Sequence, residues 1–342
     1  MIIRARAPLR LGLAGGGTDL SPYCDEFGGA VLNTTIDRFA YAFVSPRRDG
    51  KVVFRARDLS WEESFEAAPE LPEARLLLHR GVYERMVRDH NGGQPIAATV
   101  TTSVDAPLGS GLGSSSALVV ALVDAFRALF AAPLGQYDVA HLAFEIERLD
   151  LELAGGKQDQ YAAAFGGTNF IEFLAGDRVI VNPLRVCDAA RNEFESSLVI
   201  CFSGRSRDAA EVIEQQTAGM MDHSIRALAA LDRLKADAIE MKNALLAGDI
   251  RAMARILADS WQAKKLTAAG ISTERIEALC ELAFANGALG GKISGAGGGG
   301  FLMFIVDPED RQGLLEALNA AGGVAGPVKF VERGCETWQV PR

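Results

Sequence analysis

Short glycine-rich segments of this chain also carry side chains that can bind ligands or exchange protons. The 342 residues include 36 glycines, and fifteen of them fall within 12–17, 109–113 and 287–300. Glycine allows the backbone to turn sharply and to approach another group closely. The clustering therefore predicts sites of close backbone approach. The serine, arginine, aspartate and glutamate residues beside these glycines are the candidates for chemistry.

The segment 107–117, PLGSGLGSSSA, has the pattern of an anion-binding loop. Three alternating glycines can turn N–H groups toward one point, and the serines begin a predicted helix whose dipole points the same way. A serine hydroxyl there can also bind Mg²⁺. The loop lacks the lysine of a Walker A motif, and a flexible loop with a serine cap is the alternative. The residues predicted to hold a nucleotide here are Pro107, Gly109, Ser110, Gly111, Leu112, Gly113, Ser114, Ser115 and Ser116.

The segment 292–301, KISGAGGGGF, contains a formal GxGxxG pattern. A dinucleotide-binding loop of that type follows a strand and opens a helix. Here the loop is predicted to follow a helix and to open a strand, so a dinucleotide site is disfavoured. The segment instead predicts a second close approach to phosphate or to the catalytic centre, through Ser294, Gly295 and Gly297. A glycine-rich hinge is the alternative.

Two acidic positions have the setting of a proton acceptor and of a metal ligand. Asp159 follows Gly155-Gly156 and could take a proton from an attacking hydroxyl; a cation such as Arg10 would keep it ionised. Glu145 or Glu147, on a predicted helix, could complete a Mg²⁺ site with a serine. The alternatives are a helix cap for Asp159, a surface strand residue for Arg10 and a solvated helix face for the glutamates.

The glycine turn at 15–17 predicts a sugar-binding site. A carboxylate at the edge of such a turn can accept hydrogen bonds from sugar hydroxyls, although a helix cap is the alternative for Asp19. The residues expected to contact the substrate here are Gly16, Gly17, Thr18 and Asp19.

The elements that must position these residues follow from hydrophobic patterning and helix-start signals. The chain is predicted to divide near 190 into an N-terminal domain (1–190) and a C-terminal domain (191–342). The predicted strands are 2–13, 31–44, 52–54, 96–104, 198–202, 301–306 and 328–331. The predicted helices are 72–90, 114–130, 139–153, 158–165, a stretch from 209 to 263 broken near Gly219 and Gly248, then 273–286 and 308–321.

Composition excludes several classes of protein. The net charge is −9 and there is no basic tract, which argues against nucleic-acid binding. No apolar run reaches the ~18 residues of a membrane span, and the first residues lack a secretory signal. The five cysteines are odd in number and form no CxxC pair, which favours reduced thiols in the cytoplasm over disulfides or zinc.

The order of these motifs resembles the GHMP kinase superfamily of small-molecule kinases. The matching pieces are the strand and turn at 7–19, the PxxxGLGSS loop at 107–115 and the glycine loop at 292–301. Segments 14–20, 155–161 and 260–265 are most similar to the heptose 7-phosphate kinase branch, and fucose-type sugar 1-kinases share part of the pattern. The resemblance implies an α+β fold of two domains, the second with a ferredoxin-like sheet, and ATP between them.

The resemblance also implies roles. Asp159 is the expected catalytic acid and Arg10 the basic residue near the transferred phosphoryl group. Ser115 and Glu147 are the expected Mg²⁺ ligands, with Glu145 as a substitute, and Asp19 is expected to bind the sugar. The implied reaction is ATP-dependent phosphorylation of the anomeric hydroxyl of a heptose 7-phosphate. Candidate cations for the 7-phosphate are Lys157, Arg205, Arg207, Lys264 and Lys265.

One departure from the pattern concerns the sugar. Galactokinase-like relatives carry Gly-Glu-His where this chain has Gly15-Gly16-Gly17. The missing side chains are expected to widen the pocket, which disfavours galactose. The competing readings are a kinase for a free sugar such as fucose, a non-catalytic sensor and a Rossmann oxidoreductase. Homo-oligomerisation stays open at this point.

Overall fold

The computed structural model describes residues 1–107, 109–204, 209–221, 224–268 and 270–341. The strands in these ranges are β1 (Ile2–Ala14), β2 (Gly29–Pro46), β3 (Lys51–Ala56), β4 (Trp61–Glu66), β5 (Ala98–Val104), β6 (Thr168–Leu174), β7 (Arg178–Pro183), β8 (Leu198–Phe202), β9 (Ala288–Ile293), β10 (Phe301–Val306), β11 (Val324–Gly326) and β12 (Glu336–Val340). The helices are α1 (Tyr23–Phe27), α2 (Leu77–His90), α3 (Ser114–Phe130), α4 (Gln136–Glu145), α5 (Gln158–Phe165), α6 (Asp188–Ser197), α7 (Ala209–Met221), α8 (Ile225–Ala247), α9 (Ile250–Lys264), α10 (Glu274–Ala285) and α11 (Arg311–Ala320), with a π-helical turn at Ile146–Asp150.

The larger sheet has the order β12-β1-β2-β5-β3-β4, and β6 and β7 extend it from β2. The long strands β1 and β2 pair antiparallel from Ile3 opposite Val44 to Ala14 opposite Leu32. Helix α3 packs against both strands, and it is apolar around most of its circumference, as expected for a helix enclosed by other elements. This packing holds the start of α3 beside the end of β1.

The smaller sheet has the order β11-β8-β10-β9, with every pair antiparallel. All six residues of β10 are buried, which explains its unbroken apolar sequence. Helices α10 and α11 share one core with it, through residues such as Leu279 and Leu314. Helix α9 packs against β9 and contributes Met253 and Ala254 to the core of the larger sheet. The α+β fold with an antiparallel second sheet is confirmed.

The two glycine loops, far apart in the sequence, contact each other. The N–H of Phe301 donates to the carbonyl of Ser110 at 2.8 Å, and the Ser294 hydroxyl donates to the carbonyl of Gly111 at 2.9 Å. Gly111 has φ +77°, and a methyl group there would overlap the Ser294 carbonyl oxygen. The contact is therefore possible because both loops lack side chains at this point.

Several predicted boundaries are wrong. Helix α2 begins at Leu77 rather than at 72. The predicted break near Gly219 is confirmed, since α7 ends at Met221 and α8 begins at Ile225. The last glycine loop follows strand β9 and not a helix, because residues 288–293 pair with β10 and form a strand between α10 and the loop. The predicted strand at 328–331 is reduced to a single bridge between Phe330 and Ile36. The strands in this part of the chain are β11 and β12, which pair with β8 and β1.

Strand β12 belongs to the sheet of the N-terminal half, where Gln339 pairs with Ile3. The division of the chain at residue 190 stays a prediction. Among the helices that the structure describes, none is both long enough and apolar enough to cross a membrane.

Candidate active site

Asp159 and Arg10 form an ion pair at the centre of the cleft between the two sheets. Asp159 lies in the first turn of α5, and Arg10 lies on β1. The Arg10 Nη2 atom is 2.6 Å from Asp159 Oδ1, and Nε donates to the same oxygen at 2.8 Å. The Arg10 side chain is 5% exposed and that of Asp159 is 21% exposed, so the carboxylate faces the cleft while the guanidinium supports it from behind.

Hydrogen bonds to backbone carbonyls of one glycine loop and to a serine hydroxyl of the other fix the position of Arg10. Its N–H donates to the carbonyl of Leu112 at 3.0 Å, and Nη1 donates to the carbonyl of Gly111 at 2.6 Å. Nη1 also lies 3.3 Å from the Ser294 hydroxyl. One guanidinium therefore joins Asp159 to both loops, and the planar fork of arginine suits several contacts at once.

The glycine turn predicted to bind sugar, residues 15–19 and hereafter the sugar turn, is attached to α5 through Asp19. The Asp19 carboxylate accepts from the N–H of Gln158 at 3.1 Å, from Gln158 Nε2 at 3.0 Å and from the N–H of Gly17 at 3.2 Å. A methyl group at Gly156 would overlap this carboxylate, so the Gly155-Gly156 turn makes a close approach there. Asp19 is both an N-terminal partner of α5 and a wall of the cleft, so the cap and site interpretations coexist.

A π-helical turn places Glu147 against the loop at 107–117, hereafter the serine loop. The Ser115 hydroxyl donates to Glu147 Oε1 at 2.9 Å, and Gln160 Nε2 donates to Oε2 at 2.6 Å and to Ser116 Oγ at 3.1 Å. Glu147 is fully buried, although its carboxylate also lines the cleft. The N–H of Leu151 bonds to the carbonyl of Ile146, a wide turn of the kind often found at functional sites.

Glu145 points elsewhere. Its Oε2 atom is 2.6 Å from Nη2 of Arg85, which also pairs with Asp150 at 2.9 Å. Between the two glutamates considered from the sequence, the structure brings Glu147 to Ser115. The described residues contain no group of three or more His, Cys, Asp or Glu side chains that could hold a metal by themselves. A metal at Ser115 and Glu147 would therefore need oxygen atoms from the nucleotide or from water.

Two buried lysines add positive charge to the site. Lys264, at the end of α9, lines the cleft, and its ammonium donates to the Gly16 carbonyl at 3.3 Å. Burial lowers its pKa to about 8, which Asp19 opposes. Lys292 on β9 lies behind it and donates to the Leu13 carbonyl at 3.2 Å. Burial, then repulsion from Lys264 and Arg10, lowers the pKa of Lys292 to about 7.

The cleft has a volume of about 520 Å³, within the usual range for small-molecule sites. The sequence-predicted residues that line it lie on the glycine turns, on β1, at the start of α3, on the π-turn, on α5 or at the end of α9. These are Arg10, Gly17, Asp19, Gly109, Gly111, Gly113, Ser114, Ser115, Ser116, Glu147, Asp159, Lys264 and Gly295. Gly113 lies close to Asp159, since a methyl group there would be 3.1 Å from Asp159 Cγ.

Other predicted contacts are placed away from the cleft. The Lys157 ammonium is 2.6 Å from Asp177 Oδ1 and faces that carboxylate. The Thr18 hydroxyl donates to the carbonyls of Gly15 and Ala30, so it holds the turn together. Neither residue lines the cleft, and their role as substrate contacts stays a prediction.

Four further predicted positions hold the loops from outside the cleft, whereas Gly16 borders it, since a methyl group there would lie 3.7 Å from Lys264 Nζ. Leu112 is buried in the core and Pro107 is exposed. A methyl group at Gly297 would crowd Ile271, and Ser110 is fully buried. Gly16 contributes its carbonyl to Lys264. Arg205 and Arg207 lie outside the described residues.

Sequence reasoning missed Gln158, Gln160 and Arg148. The two glutamines flank Asp159 on α5 and attach it to the sugar turn and to the serine loop, respectively. Arg148 lines the cleft and donates to the carbonyls of Gly156 and Leu153, each at 3.3 Å. The run Gln-Asp-Gln at 158–160 could have indicated the two glutamines. Consecutive residues of a helix point in different directions, so each of these polar side chains needs a different polar partner.

Comparison with known proteins agrees with this arrangement. The model of the GHMP kinase N-terminal domain matches residues 77–167, and that of the GHMP kinase C-terminal domain matches residues 241–324. The chain is 42% identical to D-glycero-alpha-D-manno-heptose 7-phosphate kinase of Campylobacter jejuni, over 99% of both chains. This chain belongs to the GHMP kinases. The assignment confirms the expectation of an ATP-dependent kinase.

Two further relatives widen the comparison. A crystal structure described as a D-glycero-D-manno-heptose 1-phosphate kinase from Bacteroides thetaiotaomicron has 40% identity and a TM-score of 0.85, with 99% of this chain and 100% of that chain covered. An L-fucokinase/L-fucose-1-P guanylyltransferase of Bacteroides fragilis is 27% identical, with 90% of this chain and 35% of the relative covered. The names of the two heptose kinases differ in the carbon that already carries phosphate.

Proposed function

We propose that this chain transfers the γ-phosphoryl group of ATP to the anomeric hydroxyl of D-glycero-D-manno-heptose 7-phosphate, which yields the 1,7-bisphosphate. The observation that carries the proposal is the Arg10–Asp159 pair, held between the serine loop and the Gly16–Asp19 turn. The similarity to a heptose 7-phosphate kinase over nearly the whole chain supports the choice of sugar. The step would serve nucleotide-activated heptose synthesis in the cytoplasm, where the five unpaired thiols would stay reduced.

In the proposed reaction, the anomeric oxygen attacks the γ-phosphorus while the bond to the bridging oxygen breaks and ADP leaves. The Asp159 carboxylate accepts the proton of the hydroxyl, and Arg10 stabilises the charge spread over the transferring group. Asp19 orients the sugar through its hydroxyls. Backbone N–H groups of the serine loop and the N-terminus of α3 hold the phosphate chain of ATP.

The residues present fit Mg²⁺, whose preferred partners are oxygen atoms. Ser115 and Glu147 supply two such oxygens, 2.9 Å apart at the edge of the nucleotide loop. When bound, Mg²⁺ would neutralise phosphate charge. The protein itself keeps the Glu147 carboxylate in place through Gln160.

The Mg²⁺ assignment predicts that replacing Glu145 and replacing Glu147, two positions apart in the chain, have different effects on the Mg²⁺ requirement of the reaction. Glu147→Gln is expected to raise the Mg²⁺ concentration for half-maximal activity about tenfold or more, because a charged oxygen ligand is lost. Glu145→Gln is the matched rival, since Glu145 pairs with Arg85 outside the cleft. The measurement is a Mg²⁺ titration at saturating ATP. A larger shift in Glu145→Gln than in Glu147→Gln would contradict the assignment.

The acceptor is tested with a panel of sugars and ATP. Heptose 7-phosphate is expected to give the highest kcat/KM and a bisphosphate phosphorylated at carbon 1, identified by ³¹P NMR. Heptose 1-phosphate, free heptose and L-fucose are the competing acceptors, and the fucokinase relative favours the last of these as the second candidate. A higher kcat/KM with fucose or with heptose 1-phosphate would overturn the proposal.

A further inference from the structure

Lys264 is a buried cation that faces the cleft, and the part of the chain that the structure describes gives it no ion-pair partner. It is 4% exposed, and within the described ranges no carboxylate oxygen lies within 4 Å of its ammonium. Its one hydrogen bond there is to the Gly16 carbonyl at 3.3 Å. An ammonium has three donors, and burying an unpaired charge is costly. A ligand that supplies negative charge would stabilise it.

The glycines of the sugar turn leave a space in front of this ammonium. A methyl group at Gly16 would lie 3.7 Å from Lys264 Nζ and 3.8 Å from Gln158 Nε2. At Gly17 it would lie 3.7 Å from Leu231 Cδ2 and 4.0 Å from Gln216 Nε2, which also donates to the Thr267 hydroxyl. The space is therefore bordered by the nitrogen atoms of Lys264, Gln158 and Gln216, with Leu231 as an apolar neighbour. Related sugar kinases with Gly-Glu-His at this turn would place side chains in it.

Among the residues that the structure describes, the competing cations are already paired or lie elsewhere. Lys157 faces Asp177, the Lys265 ammonium is 3.3 Å from Glu277 Oε1, and Arg10 is paired with Asp159. Lys292 lies behind Lys264 and does not line the cleft. The Asp19 carboxylate accepts three hydrogen bonds from its own surroundings, which reduces its repulsion of a nearby anion.

Charge around the space favours an anion over a neutral hydroxyl group. Burial and then repulsion from Arg10 lower the pKa of Lys264 to about 8, although Asp19 and Asp159 oppose this, and Lys264 in turn lowers the pKa of Lys292. At neutral pH the ammonium is still largely protonated. A phosphate dianion would relieve the repulsion among the three cations, whereas a hydroxyl group would not.

We propose that the phosphate already present on the acceptor binds over the Gly16–Gly17 turn against Lys264, with Gln158 and Gln216 as further donors. This assignment rests on the proposed function, because it names the part of the site that recognises a sugar phosphate. The reacting hydroxyl lies at Asp159, and the phosphate lies at the opposite end of the sugar, against α9. Lys264 thereby determines specificity for a phosphorylated acceptor.

The test compares heptose 7-phosphate with free heptose in wild type and variants. Lys264→Met is expected to raise KM for heptose 7-phosphate about 10–100-fold, since a charge-assisted hydrogen bond to phosphate is lost. KM for free heptose and for ATP is expected to change less than about threefold. Lys264→Arg keeps the charge and should recover part of the loss. Thermal unfolding of each variant checks that it is folded.

Filling the space provides a second, independent variant. Gly16 has no positive φ, so Gly16→Ala introduces a methyl group without backbone strain. It is expected to raise KM for heptose 7-phosphate at least fivefold while KM for ATP stays constant. Gly313→Ala, on the surface of α11 with no atom near the added methyl, is the matched control. An unchanged KM in Gly16→Ala would contradict the proposal.

The outcomes separate the phosphate site from the proposed function. An equal rise in KM for heptose 7-phosphate and for free heptose in Lys264→Met would mean that Lys264 binds a hydroxyl group. A larger rise in KM for heptose 7-phosphate in Lys265→Met than in Lys264→Met would place the phosphate at Lys265. Either result overturns the inference. Calorimetry of heptose 7-phosphate without ATP completes the design. Wild type that binds the compound but does not phosphorylate it would refute the proposed function alone, whereas wild type that fails to bind would refute both.

Discussion

Asp159 and Arg10 form an ion pair that holds the site together and to which the proposed function assigns the catalytic step. The pair is buried on the arginine side and open to the cleft on the carboxylate side, so the cation keeps the acceptor oxygen in position without blocking it. Removing one partner of a buried pair leaves the other charge uncompensated and destabilises the fold. The residue-scale expectation is that loss of the Asp159 charge lowers turnover and also costs stability.

Replacement of the proton acceptor tests this expectation. Asp159→Asn is expected to lower kcat about 10²–10⁴-fold, because an amide cannot accept the proton of the attacking hydroxyl. KM for ATP should change only a few-fold in a coupled ADP assay. Asp49→Asn is the matched control, since it breaks an Arg–Asp pair with Arg47 on the surface. Turnover near the wild-type rate in Asp159→Asn would contradict the assignment of the base.

Lys292 predicts a pH dependence of stability. Its pKa is about 7 in the folded protein, because burial and then Lys264 and Arg10 disfavour the charge, with Asp237 opposing them. The unfolded chain has a lysine pKa near ~10.4. Between these values the unfolded state binds more protons, so stability rises with pH. Below pH ~7 both states are protonated and the full penalty is present.

The measurement is the melting temperature of wild type and Lys292→Met from pH 6.5 to pH 9.5. Wild type is expected to gain stability relative to Lys292→Met as the pH rises, because the variant lacks the titrating group. Lys329→Met, at an exposed position, controls for the loss of one positive charge. Parallel curves for wild type and Lys292→Met would exclude a depressed pKa.

The glycine loops act as paired elements. Each could be recognised from its own residues, yet their function in this structure depends on their contact, in which Ser110 and Gly111 meet Ser294 and Phe301. The π-turn at Ile146–Asp150 is a comparable device, because the wider turn directs Glu147 to the serine loop while Glu145 faces Arg85.

A methyl group at the loop contact tests this pairing. Gly111→Ala is expected to lower the melting temperature and to raise KM for ATP about tenfold or more, because the methyl would overlap the Ser294 carbonyl oxygen. Gly93→Ala is the matched control: its φ of +72° is close to the +77° of Gly111, but no atom lies within 4 Å of the added methyl. The control should show the left-handed penalty alone, about 1–2 kcal/mol. Equal unfolding shifts and an unchanged KM for ATP in Gly111→Ala would refute the contact.

At the scale of the whole molecule, the halves of the chain share structure. Strand β12 pairs with β1, and α8 contributes Ala238 and Met241 to the core of the larger sheet. The N-terminal half alone therefore lacks an edge strand and part of its core. An unpaired edge and an uncovered apolar face both favour aggregation.

Truncation tests the predicted division at residue 190. A chain of residues 1–190 is expected to show no cooperative thermal unfolding, and a chain of residues 1–335 is expected to unfold at a lower temperature than the full chain. Circular dichroism and size-exclusion chromatography measure both. A soluble 1–190 chain with a cooperative transition would mean that the predicted N-terminal domain folds independently.

The sequence by itself determined the features that depend on neighbouring residues. The bounds of α3, α5, β8 and β10 were predicted correctly, because caps, glycines and apolar runs act over a few residues. The glycine loops and their order along the chain also indicated the kinase family. The roles of the site residues remain predictions that the experiments above address.

The tertiary structure decided which side chains meet. Lys157 faces Asp177 while Lys264, about a hundred residues later, faces the cleft, and no local pattern separates the two lysines. Three further features depend on the tertiary structure in the same way. They are the contact of Ser115 with Glu147 rather than Glu145, the strand β9 before the last glycine loop, and the pairing of β12 with β1. The physical reason is that long-range pairing and the burial of charge depend on which surfaces the fold brings together, and sequence spacing alone does not specify this.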